Sequence, residues 1–210
     1  MEDVTEIEWN EITSALQKDI VPGISGISYK LIKNVNSKSR NRMINFANRV
    51  ITKGEFPKKW KLSQIYLISK NINWEYNLAS IRPIMLLETF RKLVIRIVQK
   101  RLCKVISQKN ILKGANFAGL PEESTMALIH ILNNVIEDAK QRNHELWIAF
   151  QDMRKAFDSV SMTTLELAMR RIQFLEMLIK FIKHLYKDHE IKVITNKDPT
   201  RFFTASNGIN

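Results

Sequence analysis

The stretch LWIAFQDMRKAFDSV, residues 146–160, decides how this chain is interpreted. It begins with an apolar run of strand length, and Asp152 follows where that run ends. A carboxylate at the end of a buried strand is costly unless it meets a cation, a metal ion or several hydrogen-bond donors. The residues alone leave two interpretations open. In the first, Asp152 and Asp158 cap the helix that follows. In the second, the Asp152 carboxylate binds a cation or a metal ion.

Composition and charge narrow the class of protein. The chain has 210 residues, 45% of them hydrophobic, which is enough for a packed core. Its formal net charge of +12 favours a polyanionic partner, nucleic acid or a membrane surface, although a merely soluble basic protein has the same balance. The single cysteine, Cys103, excludes an internal disulfide. An acidic N-terminus without an apolar leader, and the lack of a membrane-length apolar run, predict an intracellular protein that is neither secreted nor membrane-spanning.

The charges are distributed unevenly along the chain. Residues 1–19 carry six acids and one base, and their apolar positions predict a short amphipathic helix (Ile7, Ile12, Ala15 and Leu16). Residues 29–61 carry ten bases and one acid, with a helical apolar face (Met43, Ile44, Phe46, Ala47 and Val50). These bases form either a solvated rim or a phosphate-binding groove.

Further elements follow from hydrophobic periodicity. Residues 63–70 and 82–87 are predicted to be strands, and residues 85–108 a helix that begins a run of eight bases from Arg91 to Lys113. Three interpretations of that basic helix stay open: it contacts a nucleic-acid template backbone, it lies on a membrane surface, or it only packs against the core. The first fits best beside the motifs described next. A helix is predicted after the N-cap candidates Ser124 and Thr125, another over 162–186, and a hairpin of 190–193 with 201–203.

Several motifs together resemble the reverse transcriptases of non-LTR (LINE-like) retrotransposons. The string F-x-D-x-x-K-A-F-D-S-V over 150–160 is similar to their motif A. Residues 22–27 resemble P-G-P-D-G-I, with Ile24 and Ser25 replacing Pro and Asp. Residues 54–61 match G-x-x-P-x-x-W-K, residues 82–87 resemble R-P-I-S-L-L, and residues 206–210 resemble the opening of motif B.

The resemblance implies an α+β fold, a right-hand polymerase fingers and palm fragment that is mostly helical with a short antiparallel sheet. The implied divisions are an acidic helix (1–20), a fingers-like region (21–140) and a partial palm (141–210). It also implies roles at the site. Lys70 and Arg82 contact the triphosphate of an incoming dNTP, and Phe157 excludes a ribose 2′-hydroxyl. Asp152 and the backbone carbonyl of Met153 bind catalytic Mg²⁺.

The implied partners are an RNA template and a DNA primer, joined to nucleotides by two-metal chemistry. The family supplies its second pair of acids from a Y/F-x-D-D motif, which the 210 residues do not contain. The sequence therefore predicts a reverse transcriptase fragment that does not polymerise DNA by itself. The alternative is a non-catalytic, basic nucleic-acid-binding remnant.

Overall fold

The computed structural model describes residues 2–17, 20–70, 77–112, 124–154, 156–195 and 198–204. Within these residues the chain mixes helices with a four-stranded sheet, as the predicted α+β class requires. It divides into two compact units, which are described separately. The first unit comprises residues 1–98 and 156–210, and the second comprises residues 99–155. The predicted division into fingers and palm regions stays a prediction.

The N-terminal helix α1 (Glu6–Ser14) forms as predicted, and its predicted buried face is confirmed in part. Trp9, Ile12 and Leu16 are buried, whereas Ile7 is 74% exposed. Trp9 lies two positions after Ile7, on the other side of the helix, and its ring packs 5.9 Å from that of Phe90. The larger aromatic surface sets which face turns inward, because burial stabilises in proportion to apolar area.

Helices α2 (Tyr29–Lys33) and α3 (Ser37–Lys53) occupy the basic region and share the core with α1. The predicted apolar face of α3 is confirmed in part: Ile44, Ala47 and Val50 are buried, whereas Phe46 is 38% exposed. Asn36 caps the start of α3 by accepting the Ser39 amide, and Gly54 ends it with a left-handed φ of 66°. A 3₁₀ turn (Lys58–Lys61) then leads into the sheet.

The sheet has the order β2-β1-β3-β4 and is mixed rather than antiparallel, which corrects the prediction. Strands β1 (Leu62–Ser69) and β2 (Ile81–Leu86) form at the two predicted strand positions and pair as an antiparallel hairpin. Strand β3 (Glu190–Ile194) pairs with β1 in parallel and with β4 (Phe203–Thr204) antiparallel, which is the hairpin predicted for 190–193 with 201–203. The parallel pair is possible because a long connection with several helices separates the two strands.

The helices around the sheet also differ in part from the prediction. Helix α4 (Thr89–Gln108) forms with Leu93, Val94 and Ile97 fully buried. The single helix predicted over 162–186 is instead two, α7 (Met162–Arg171) and α8 (Glu176–Tyr186). Gln173 between them has a left-handed φ of 57°, which interrupts the helical hydrogen bonding. A one-turn helix, α6 (Ala156–Ser159), precedes them.

In the second unit, helix α5 (Thr125–Gln141) begins at the predicted N-cap, Ser124, whose hydroxyl accepts the Met126 amide. Its apolar stripe remains largely exposed, with Met126 and Ile129 both about half accessible. Residues 146–154 of the predicted motif A stretch follow α5 without regular secondary structure. Residues 113–123 and the predicted motif B opening at 206–210 lie outside the described residues.

Candidate nucleotide site and motif A

The β1–β2 hairpin places the two predicted triphosphate contacts together. Arg82 pairs directly with Ile68, and the Lys70 amide donates to the Ser80 carbonyl at 2.8 Å, which extends the ladder by one step. Since side chains alternate along a strand, Lys70 lies on the same face as Ile68 and therefore as Arg82. The two cations are diagonal neighbours, a spacing of roughly 7–8 Å between backbones.

Both cations are exposed on this face. The Lys70 ammonium folds back and donates to the Ala79 carbonyl at 2.8 Å, in the short 3₁₀ turn that precedes β2. Strand β2 is an edge strand of the sheet and contains Pro83, which has no amide to donate and suits an edge position. Strand β3 pairs with β1 only over residues 62–66, so beyond Tyr66 the hairpin is a two-stranded arm, and this β1–β2 arm carries Lys70 and Arg82 on one face.

Motif A does not have the predicted geometry, so the expected buried strand is wrong. Residues 146–150 form no strand; Trp147 is 88% and Phe150 84% exposed. An apolar run becomes a strand only when a neighbouring strand satisfies its backbone, and the described sheet pairs β1 with β2 and β3 instead. Leu146 and Ile148 instead line a cavity of about 520 Å³ against the end of α5.

Asp152 and Met153 follow in the same irregular segment of the second unit, and both are exposed. An exposed carboxylate keeps its water, so the argument that burial forces Asp152 onto a cation does not apply here. Magnesium prefers several oxygen ligands in near-octahedral geometry. Among the described residues no three His, Cys, Asp or Glu side chains gather as a metal site.

Phe157 and Asp158 belong to the first unit, in helix α6. The Phe157 ring is 66% exposed and so is accessible to a ligand. Its predicted role as a steric gate against a 2′-hydroxyl stays a prediction, as do the metal roles of Asp152 and Met153.

Sequence reasoning missed that Arg91 is structural. Its side chain is 2% exposed and donates to the Trp60 carbonyl at 2.5 Å and the Leu185 carbonyl at 3.3 Å. Burial lowers the pKa of Arg91 to about 10. Arg91 is therefore not available to contact a template, and the interpretation of the basic helix as a template contact stays a prediction for its other bases. Arg91 shares the spacing of the buried Val94 and Val98, and this register was the available signal.

The buried surroundings of Arg91 also change the pKa of a histidine, His189. Burial, with a smaller contribution from the Arg91 charge, lowers the pKa of His189 to about 4. His189 is therefore neutral near pH 7. A second histidine, His184 of α8, contacts the Gly54 carbonyl through Nδ1 at 2.9 Å. This contact ties α8 to the end of α3.

The turn at residues 22–27 is fixed by a buried carboxylate. Glu88 is 4% exposed and accepts from the Ser25 amide at 2.7 Å and the Ser25 hydroxyl at 2.5 Å. Gly26 has a left-handed φ of 72°, and a Cβ on Gly23 would lie 2.7 Å from the Leu87 carbonyl oxygen. Gly23 and Gly26 therefore suit the backbone of this turn. The Ser25 hydroxyl donates a hydrogen bond to Glu88, which an ionised aspartate could not do.

Replacing Ser25 with aspartate, the residue that the resembled motif has there, is expected to destabilise the protein by about 2 kcal/mol. The change removes a charge-assisted hydrogen bond and sets two carboxylates against each other. Urea unfolding followed by circular dichroism measures it. Ser25→Ala, which removes the hydroxyl alone, should cost less. Equal or higher stability of the aspartate variant would show that the Glu88 contact does not fix the turn.

Comparison with known proteins accords with these motifs. The probable RNA-directed DNA polymerase from transposon BS of Drosophila melanogaster is 30% identical over 139 residues, 66% of this chain and 15% of that protein. The chain is a relative of retrotransposon reverse transcriptases. The predicted resemblance to the non-LTR branch is thereby confirmed. No protein-family model matches the chain.

Two further relatives have the same character. The RNA-directed DNA polymerase from mobile element jockey of D. melanogaster is 25% identical over 157 residues, covering 75% of this chain and 17% of that protein. The retrovirus-related Pol polyprotein from type-1 retrotransposable element R2 of Popillia japonica is 27% identical over 165 residues, 77% of this chain and 22% of that protein. This reverse transcriptase relative thus spans about a fifth or less of the length of these three proteins.

None of the described helices combines the length and the apolar character that crossing a bilayer requires.

Proposed function

We propose that this chain is part of the fingers and palm of a retroelement reverse transcriptase, and that its β1–β2 arm holds the triphosphate of an incoming nucleotide. The observation that carries the proposal is the pairing of Lys70 and Arg82 on one exposed face of the arm. Kinship with RNA-directed DNA polymerases supports it. Lysine supplies a mobile point charge and arginine a planar fork, which together suit phosphate oxygens.

The partners of this function are an RNA template and a DNA primer, and its cofactor is Mg²⁺. Asp152 would contribute one carboxylate and Met153 a backbone carbonyl, and Phe157 would contact the sugar. Further carboxylates are needed, because one acid does not organise two metal ions. We therefore propose that the 210 residues alone bind nucleotide but do not extend a primer.

Replacing either Lys70 or Arg82 with alanine is expected to weaken dTTP binding about tenfold. Each change removes a charge-assisted contact to phosphate. An NMR titration with dTTP in Mg²⁺ buffer detects the weak affinity expected of a partial site. Arg171→Ala and Lys180→Ala are matched controls, since both are exposed cations on α7 and α8. Unchanged affinity in both hairpin variants, or an equal loss in the controls, would refute the triphosphate role.

A primer-extension assay on an RNA template tests the second half of the proposal. With Mg²⁺ and all four dNTPs, the chain alone should give no product. A product that disappears in Asp152→Asn would overturn the proposed inactivity and would identify Asp152 as catalytic.

The alternative function is a non-catalytic nucleic-acid-binding remnant. The departures at Ile24 and Ser25 from the family motif, and the exposed bases of α3, favour it. It predicts RNA binding with a steep salt dependence together with dTTP binding that is indifferent to Lys70 and Arg82.

A further inference from the structure

Helix α3 presents a stripe of four cations with one aromatic ring among them. Lys38, Arg42, Phe46, Arg49 and Lys53 are all exposed, and Phe46 is 38% accessible. Their spacing of four, four, three and four residues places them within an arc of roughly 80° at 100° per residue. The helix has no acidic residue. We call these five residues the α3 stripe.

The aromatic member of the stripe lies over a preformed cavity. Phe46 packs edge-on against Trp60 at 5.8 Å between ring centroids and lies 5.7 Å from Phe90. These three rings line a cavity of about 400 Å³, together with Met43 and the polar residues Ser39 and Arg42. An aromatic surface is therefore open to a flat ligand directly beside a guanidinium.

The buried side of α3 decides whether the α3 stripe suits a membrane surface or a nucleic acid. A membrane-surface helix inserts a broad apolar face into the lipid. The apolar face of α3 is already in the core, with Ala47, Val50 and Ile51 at most 3% exposed. One phenylalanine among four cations instead matches the surfaces that bind single-stranded nucleic acid, where cations track phosphates and rings stack on bases.

We infer that the α3 stripe is a binding surface for single-stranded nucleic acid, with one unpaired base stacked on Phe46 and the flanking phosphates on the four cations. The inference rests on the proposed function, since it takes the strand to be one that the polymerase handles. Lys70 and Arg82 lie on the β1–β2 arm and not on α3, so the stripe adds a contact beyond the proposed triphosphate contacts.

Salt dependence of binding tests the cations. A fluorescent single-stranded RNA is titrated with the full chain at several salt concentrations. Arg42→Gln with Arg49→Gln should reduce the slope of log K against log salt by about 1.4, because each phosphate contact contributes about 0.7 on a single strand. Arg171→Gln with Lys180→Gln, the same charge change on α7 and α8, should leave the slope nearly unchanged. Equal slope changes in the two pairs would overturn the inference.

A second variant tests the ring. Phe46→Leu retains an apolar side chain over Trp60 and Phe90, so the fold should survive. It should weaken single-strand binding about tenfold at an unchanged salt slope, because stacking is lost while phosphate contacts remain. Phe46→Trp should restore binding. An RNA duplex of the same sequence should not distinguish the variants, since its bases are already stacked. If Phe46→Leu binds the single strand as the wild type does, the stacking site is wrong.

Direct contact can be located by photocrosslinking with oligonucleotides that carry 5-iodouracil. The adduct is expected on the tryptic peptide of residues 43–49, which contains Phe46. RNA and DNA single strands compared side by side show whether the ribose matters. Anionic phosphatidylserine vesicles that bind the chain, with the same sensitivity to the stripe variants and in preference to RNA, would assign the stripe to a membrane instead.

Failure of this inference is distinguishable from failure of the proposed function. Loss of dTTP binding in the Lys70 and Arg82 variants supports the nucleotide site whatever α3 does. A chain that binds dTTP in this way but ignores single strands refutes the α3 stripe alone. A chain that binds single strands through α3 while dTTP binding is indifferent to the hairpin refutes the nucleotide site alone.

Discussion

Replacing Arg91 with methionine is expected to destabilise the first unit by about 3 kcal/mol. Methionine fills much of the same volume but leaves the carbonyls of Trp60 and Leu185 without their donor, and each unsatisfied buried group costs about 1–3 kcal/mol. The Arg91 side chain links α4 to the 3₁₀ turn of Lys58–Lys61 through Trp60, and to the end of α8 through Leu185. Its loss therefore loosens three elements at once. Urea unfolding followed by circular dichroism measures the change.

A second measurement separates this role from general damage. Because the Arg91 charge contributes to the lowered pKa of His189, the pKa of His189 should rise in Arg91→Met. The rise should be partial, since burial is the larger cause. NMR titration of the histidine ring gives the value. Arg171→Met, on the exposed end of α7, is the matched control and should stay within about 0.5 kcal/mol of the wild type. A similar loss in both variants, with no change at His189, would contradict the structural role.

Arg91 also illustrates what the sequence could not decide. A run of bases is visible in the sequence, but the direction of each side chain depends on what packs against the helix. The hydrophobic register identified the buried face of α4, and Arg91 shares that register with Val94 and Val98. Because buried arginines are rare, the charge of Arg91 favoured an exposed position, although its helical register predicted a buried one. The register was the better guide.

The β1–β2 hairpin could be predicted, whereas motif A could not. Residues 62–69 and 81–86 are consecutive strands with eleven residues between them, so their pairing depends on that local connection and on their own apolar patterns. Residues 146–150 have an equally apolar pattern, but a strand there depends on partners that the pattern does not specify. The pairing of the two hairpin strands is enough to place Lys70 beside Arg82. No comparable local pairing places Asp152 in a buried position.

Similar limits apply at the helix ends. Gly54 ends α3 in the left-handed conformation that glycine favours, and the sequence marks it. Gln173 adopts the same conformation between α7 and α8 without any residue that predicts it. The one helix expected over 162–186 is two for this reason.

The largest single loss of stability is expected from Trp60→Ala, about 4 kcal/mol. The Trp60 ring is 7% exposed and contacts three phenylalanine rings, Phe46, Phe56 and Phe90, at 5.7–6.1 Å between centroids. Removing a buried aromatic side chain costs the lost transfer free energy and leaves a cavity. Chemical unfolding measures the loss, and Trp60→Phe should retain most of the stability if the alanine variant does not fold.

Trp147→Ala is the matched control for Trp60. The Trp147 ring is 88% exposed, so its removal should change the free energy of unfolding by less than about 0.5 kcal/mol. A double-mutant cycle between Trp60→Phe and Phe46→Leu then tests whether the two rings are coupled, with about 1 kcal/mol expected for an edge-to-face pair. Because Phe46 is also the ring proposed to stack a base, coupling would mean that the core of the first unit holds that ring in place. If the two changes are additive, Phe46 is positioned by its own helix, and α3 alone sets the surface that nucleic acid meets.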